Sequence, residues 1–175
     1  KFFGNIAFKG PVMPGVILAV GLSFLERIFP DTIYLIFAYP AAWLASFFLG
    51  SHPAWIDGEI WIPLFPHGIH VIPNCSAYGF FCVLSALMIT SLFRLKPGNW
   101  IAFLLVIPMA YVLTIVTNGC RMICAYQAQE MAQGFLPVNF HPAIHQAVGV
   151  VVFLTVLIAT FWMLERNLSH ERTCQ

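Results

Sequence analysis

The feature that most constrains this chain is where its charges are missing. Its fifteen Lys, Arg, Asp and Glu residues are clustered, leaving charge-free stretches at 10–25, 32–56, 60–93, 97–120 and 131–164, which hold 16, 25, 34, 24 and 34 residues. Crossing a bilayer takes about 20 apolar residues, so most of these stretches are long enough. A soluble domain carries roughly 25% charged residues. This chain of 175 residues is 9% charged and 60% hydrophobic, which argues against a water-soluble globule. A net charge of +1 provides no basic footprint, so nucleic acid is not an expected partner. Five cysteines without dense, regular spacing do not make a disulfide scaffold and leave at least one thiol free.

Apolar runs and their punctuation predict an all-α polytopic membrane protein with about five transmembrane helices, near Pro14–Ile28, Ile33–Leu49, Asn74–Phe93, Trp100–Thr117 and Pro142–Leu164. Trp100 and Trp162 fall at helix ends, where amphipathic rings favour the headgroup layer. Arg94 and Lys96 lie in one tight connection, and Arg166 and Arg172 follow the last helix. The positive-inside rule therefore assigns both segments to the cytoplasm. Asn74, Thr117 and Pro142 then mark three helix ends on the opposite face. Counting backwards puts Glu26, Arg27 and Asp31 in a cytoplasmic turn and the N-terminus outside. Ser51–Pro73 carries four prolines and cannot be one helix. Asp57-Gly58, set between Trp55-Ile56 and Glu59-Ile60-Trp61, reads as a β-hairpin turn, and Ile69 and Val71 fit a further short strand. The expected organisation is a single integral-membrane domain over 1–175, with 51–73 forming an extracytoplasmic hairpin segment between helices 2 and 3.

A charge inside an apolar bundle is costly, so Arg121, at the outer end of the fourth helix, needs a reason. It is either a snorkelling interfacial cation or a fixed cation aimed at a carbonyl oxygen or carboxylate. Cys75 stands at the outer start of the third helix, where exposed amides favour a thiolate; the bland alternative is a small apolar filler. Cys82 fits the filler role better. Cys120 and Cys124 are i,i+4 on one turn, as packing residues or a redox pair, although the spacing is not Cys-x-x-Cys, and Cys174 sits in the terminal tail. His145 lies near the outer start of the fifth helix, four residues after His141. Histidine serves as acid and base near neutral pH. A thiol, an imidazole and a charge-stabilising donor on one face are the minimum set for acyl transfer.

In order and spacing, Cys75-Ser76 after the Asp57-Gly58 segment, Asn118-x-x-Arg121, and His145-x-x-x-Gly149-x-x-x-Phe153 resemble the exosortase/archaeosortase family of integral-membrane transpeptidases. The likeness runs from about Gly50 to Phe153, and the short chain is similar to compact types such as exosortase K. The family commonly reads Cys-Ser-Gly or Cys-Ala-Gly, whereas this chain reads Cys75-Ser76-Ala77. The resemblance implies cleavage of C-terminal sorting signals (a short motif, a transmembrane helix and a basic tail) of exported, membrane-anchored proteins at the outer face of the cytoplasmic membrane. The product would be transferred to a cell-envelope glycan or lipid acceptor. On matching positions it implies Cys75 as nucleophile, His145 as general acid/base and Arg121 as transition-state stabiliser, with Ser76, Asn118, Gly149 and the competing His141 in support. It calls for no cofactor or metal.

Two other readings stand beside it. His67, His70, His141 and His145 could supply imidazoles to a metal-dependent membrane enzyme, although no His-Glu-x-x-His motif accompanies them. In a non-catalytic membrane scaffold, Cys75, Arg121 and His145 would be interfacial residues only.

Overall fold

The computed structural model describes residues 13–65, 68–95, 100–133, 135, 137 and 140–173. It is mostly helical: α1 Met13–Ile28, α2 Pro30–Phe48, α3 Tyr78–Leu95, α4 Trp100–Ala132 and α5 His141–Thr173. A three-stranded sheet lies between α2 and α3, made of β1 Ala54–Ile56, β2 Glu59–Ile62 and β3 Ile69–Val71, in the order β1-β2-β3 and antiparallel throughout. Among the described residues, three helical segments are long and apolar enough to cross a membrane, Pro30–Phe48, Leu104–Ala132 and Pro142–Arg166. Tyr78–Arg94 is apolar but shorter. The faces these helices turn outward are themselves apolar, with Leu104, Met109, Val112, Val151, Ile158 and Trp162 all exposed. An exposed apolar surface of that extent suits lipid rather than water.

The hairpin forms where the sequence places it. Asp57 and Gly58 both adopt positive φ, 51° and 82°, between the paired residues Ile56 and Glu59. Two central residues with positive φ match the right-handed twist of the strands they join. The sheet is tied to α2 by Tyr34, whose hydroxyl accepts the Ile60 N–H (3.1 Å) and donates to the Val71 carbonyl. The face of α2 beneath it is made of small residues, Ala38, Ala41, Ala42 and Ala45, all without exposed surface. On the same helix Pro40 has no N–H to offer the Ile36 carbonyl one turn back. The Tyr111 hydroxyl of α4 donates to that carbonyl instead, at 2.8 Å. Farther along, a Cβ on Gly119 would stand 3.3 Å from the Ala41 carbonyl oxygen, so α4 approaches α2 closely between Asn118 and Arg121.

Four expectations are corrected. Glu26, Arg27 and Asp31 do not flank a chain-reversing turn. Phe29 is the single non-helical residue between α1 and α2. Its N–H still bonds to the Leu25 carbonyl (2.9 Å), and its own carbonyl accepts the Ile33 N–H (3.0 Å). The interruption is a proline effect: Pro30 lacks a donor and pushes Phe29 out of helical geometry, to φ −131° and ψ 57°. Hence α1 does not run in the same sense as α3. Gly15 packs on Ala86 and Thr90, while the Leu22 carbonyl accepts from the Tyr78 hydroxyl, which makes the two helices antiparallel. The third helix starts at Tyr78 rather than Asn74, and the fourth runs past Thr117 to Ala132. The fifth continues past Leu164 to Thr173. In the last two, single charges such as Arg121 or Glu165 mark where apolar character ends, but they do not break a helix.

Candidate functional site

Three residues widely separated in sequence meet at the sheet end of the bundle. Cys75 Sγ lies 3.8 Å from His145 Nε2, and Arg121 Nη2 lies 3.0 Å from the same nitrogen. A guanidinium only donates, so Nε2 is the acceptor, and neutral His145 carries its proton on Nδ1. The thiol and the guanidinium thus compete for one lone pair.

Each of the three is held by its own element. Cys75 closes a 3-10 turn, Pro73–Cys75, in which its N–H bonds to the Ile72 carbonyl at 2.8 Å. It therefore precedes α3 instead of standing in that helix's first turn. The cause is Ala77, whose φ of +59° lies in the left-handed region that favours glycine. Ala77 thus holds a glycine-like backbone without being glycine. Ser76 Oγ then accepts the Tyr78 N–H (3.4 Å), serving the start of α3. A β-branched residue at such a φ is strained, by about 1–3 kcal/mol. Thermal unfolding in detergent is expected to show Ala77→Val destabilised by roughly that amount. Ala77→Gly should stay within about 1 kcal/mol of the parent, because relief of strain opposes loss of a buried methyl.

On α4, Asn118 and Arg121 are three residues apart and share a face. Asn118 has no exposed surface. Its Nδ2 donates to the Cys75 carbonyl at 2.8 Å, and its Oδ1 accepts from Arg121 Nη1 at 3.4 Å. One amide thereby fixes both the Cys75 backbone and the Arg121 guanidinium. Arg121 Nε is buried without a hydrogen-bond partner, and no carboxylate among the described residues pairs with this arginine. A part-buried cation with no carboxylate partner is suited to meeting a developing negative charge.

On α5, the spacing of His145, Gly149 and Phe153 places all three on one stripe. The Arg121 guanidinium lies 5.3 Å from the centroid of the Phe153 ring, which stacks on Phe80 at 4.6 Å. Gly149 leaves the room Arg121 occupies, since a Cβ there would stand 2.7 Å from Arg121 Nε. Gly149→Ala should therefore displace the guanidinium while the fold survives, because what must move is the far end of a flexible side chain. If the chain is an enzyme that works through Arg121, a shift of about 1 Å costs on the order of 10²-fold in turnover. Turnover by this variant, measured at equal protein abundance, checks it.

Cys75 and His145 line a cleft of about 360 Å³, and Arg121 stands behind His145. Its walls include Ile69, His70 and Ile72 from the sheet side, Met122, Tyr126 and Gln129 from α4, and Gln146 from α5. The α4 wall was missed from sequence because the fourth helix was ended at Thr117. Continuing the helical period past Arg121 would have put Met122, Ala125, Tyr126 and Gln129 on one face. Tyr34, which joins the sheet to α2, carried no sequence signal.

The remaining candidates take no part in the Cys75–His145–Arg121 contacts. Cys82 is buried in α3, and Cys120 and Cys124 are exposed and free on α4. His70 Nε2 contacts the Glu59 carboxylate across the sheet, next to the Trp61 ring. His141 opens α5, but its side chain, like His67 and Cys174, lies outside the described residues. Among the described residues no three His, Cys, Asp or Glu side chains converge as a metal-binding group would. No protein-family model, curated protein or solved structure matches the chain significantly.

Proposed function

We propose that this chain is a membrane-embedded cysteine peptidase or transpeptidase resembling the exosortases. It would cleave C-terminal sorting signals of exported proteins at the outer face of the cytoplasmic membrane and transfer the new C-terminus to a cell-envelope glycan or lipid, or to water. The observation that carries the reading is the meeting of Cys75 Sγ and Arg121 Nη2 at one nitrogen of His145, beside a cleft that Cys75 and His145 line at one end of an apolar bundle. The other end carries Arg94 and Arg166, which the positive-inside rule assigns to the cytoplasm. A substrate held by its own helix brings its cleavage point to the membrane surface, and confinement supplies proximity.

The chemistry follows from the competition at Nε2. The entering carbonyl oxygen draws the Arg121 N–H groups off His145, which frees Nε2 to take the Cys75 proton. The thiolate attacks the carbonyl carbon, and the resulting oxyanion faces Arg121. The C–N bond breaks, the leaving amine takes the proton from Nε2, and a thioester remains on Cys75. An acceptor amine or hydroxyl, or water, gives its proton to Nε2 as it attacks the thioester. Cys75 leaves and is reprotonated.

The test is co-expression with exported proteins that end in a motif, a transmembrane helix and a basic tail, followed by mass measurement of the product. The expected product lacks the helix and tail. Unchanged substrates across such a set would favour the scaffold reading.

A further inference from the structure

We propose that the free edge of β3 is a peptide-binding strand, to which the extended segment preceding the cleaved bond adds as a fourth strand. The inference deepens the function proposed above and rests on Cys75 as the nucleophile.

The sheet order leaves β3 at an edge, with no described strand beyond it. Its register pairs Ile69 with Ile62, His70 with Trp61 and Val71 with Ile60. Which main-chain groups point outward is fixed by Tyr34. One hydroxyl reaches both the Ile60 N–H and the Val71 carbonyl, so these two residues turn their polar groups toward each other. The hairpin agrees: Ile56 and Glu59, which flank its two-residue turn, bond to one another, so Ile60 faces β3. Main-chain groups alternate between the two edges of a strand, so His70 presents its N–H and C=O away from β2. An unpaired row of such groups is a template for another strand.

This edge also walls the reaction cleft, through Gly68, Ile69, His70 and Ile72, and the chain then reaches Cys75 within three residues. The direction of the added strand follows as well. A substrate whose membrane helix lies after the cleaved bond runs from the sheet toward the bundle, as β3 does on its way into α3. The added strand is therefore parallel to β3. His70 N–H donates to one peptide carbonyl, and His70 C=O accepts an N–H two residues farther along. The ligand is recognised by its backbone, so the edge holds an extended peptide with little demand on its side chains at the paired positions.

The test uses the purified full chain in lipid nanodiscs and follows labelling of Cys75 by three probes. These are methyl vinyl sulfone, an acetyl-trialanyl vinyl sulfone with its vinyl group in place of the cleaved carbonyl, and the same peptide N-methylated at one amide at a time. The trialanyl probe is expected to label Cys75 about tenfold faster than methyl vinyl sulfone, with methylation at one amide, and not at the others, removing most of that advantage. His70→Pro, which deletes an outward N–H that β2 does not use, should lower the ratio of peptide to small-probe labelling. His70→Ala should keep it, because the N–H remains. Rates indifferent to N-methylation, or a ratio lost equally in His70→Ala and His70→Pro, would overturn the edge-strand proposal while leaving Cys75 as nucleophile. A Cys75 inert to every probe, in a chain that still processes co-expressed substrate, would overturn both.

Discussion

Replacing Cys75 by alanine is expected to leave co-expressed substrate uncut while the protein accumulates normally in the membrane fraction. The two halves of that expectation have separate physical grounds. The Cys75 backbone is held by its carbonyl bond from Asn118 and by its N–H bond to Ile72, and neither involves the sulfur. Alanine therefore keeps the turn and gives up only one small buried side chain. The reaction, in contrast, has no other thiol within reach of His145 among the described residues: Cys82 is buried farther along α3, and Cys120 and Cys124 are exposed on α4. Loss of a nucleophile from a working catalytic set typically costs about 10⁴-fold or more in turnover, which brings processing below detection by mass. Substantial cleavage by Cys75→Ala would remove Cys75 as an obligatory nucleophile.

Arg121→Lys separates the two readings that the sequence alone leaves open for this residue. If Arg121 only anchors a helix end, lysine has nearly the same reach and charge, and processing continues. In the proposed mechanism the guanidinium contacts His145 and Asn118 through separate nitrogens, with Nε left over. Its planar fork also lies over Phe153. Lysine keeps the charge but loses the paired donor geometry, and its point charge is more strongly hydrated. Loss of an oxyanion donor costs about 10²–10³ in turnover. The variant is thus expected to fold, to label at Cys75 with a small electrophile, and to cleave at that much lower rate. Near-normal cleavage at equal membrane abundance would return Arg121 to an anchoring role.

Much of the site was legible in the sequence because short-range spacings on a helix survive folding. Asn118 with Arg121, and His145 with Gly149 and Phe153, needed only a helical period to be placed on common faces. Convergence of Cys75, Arg121 and His145 followed from charge-free lengths and the position of the Arg94 turn, and the Asp57-Gly58 hairpin from turn chemistry. What could not be read depends on contacts between elements or on a single backbone torsion. Ala77 looks like an ordinary helix former, yet its left-handed φ sets Cys75 outside α3. Pro30 sits beside the charges Glu26, Arg27 and Asp31 in a pattern that suggests a turn, but Phe29 keeps its helical bonds on both sides, and the helix bends without reversing. The wedge formed by Tyr34 exists only once β2 and β3 have paired.

In the proposed reaction Cys75 becomes acylated by the protein it cleaves. The direct measurement is peptide mapping of the full chain, acid-quenched from cells co-expressing an exported protein with a C-terminal motif, helix and basic tail. A hydroxylamine-labile adduct is expected on the peptide containing Cys75, carrying the new C-terminus of the substrate. An adduct mapped to Cys120, Cys124 or Ser76, or processed substrate formed with no acyl adduct on the chain, would contradict it.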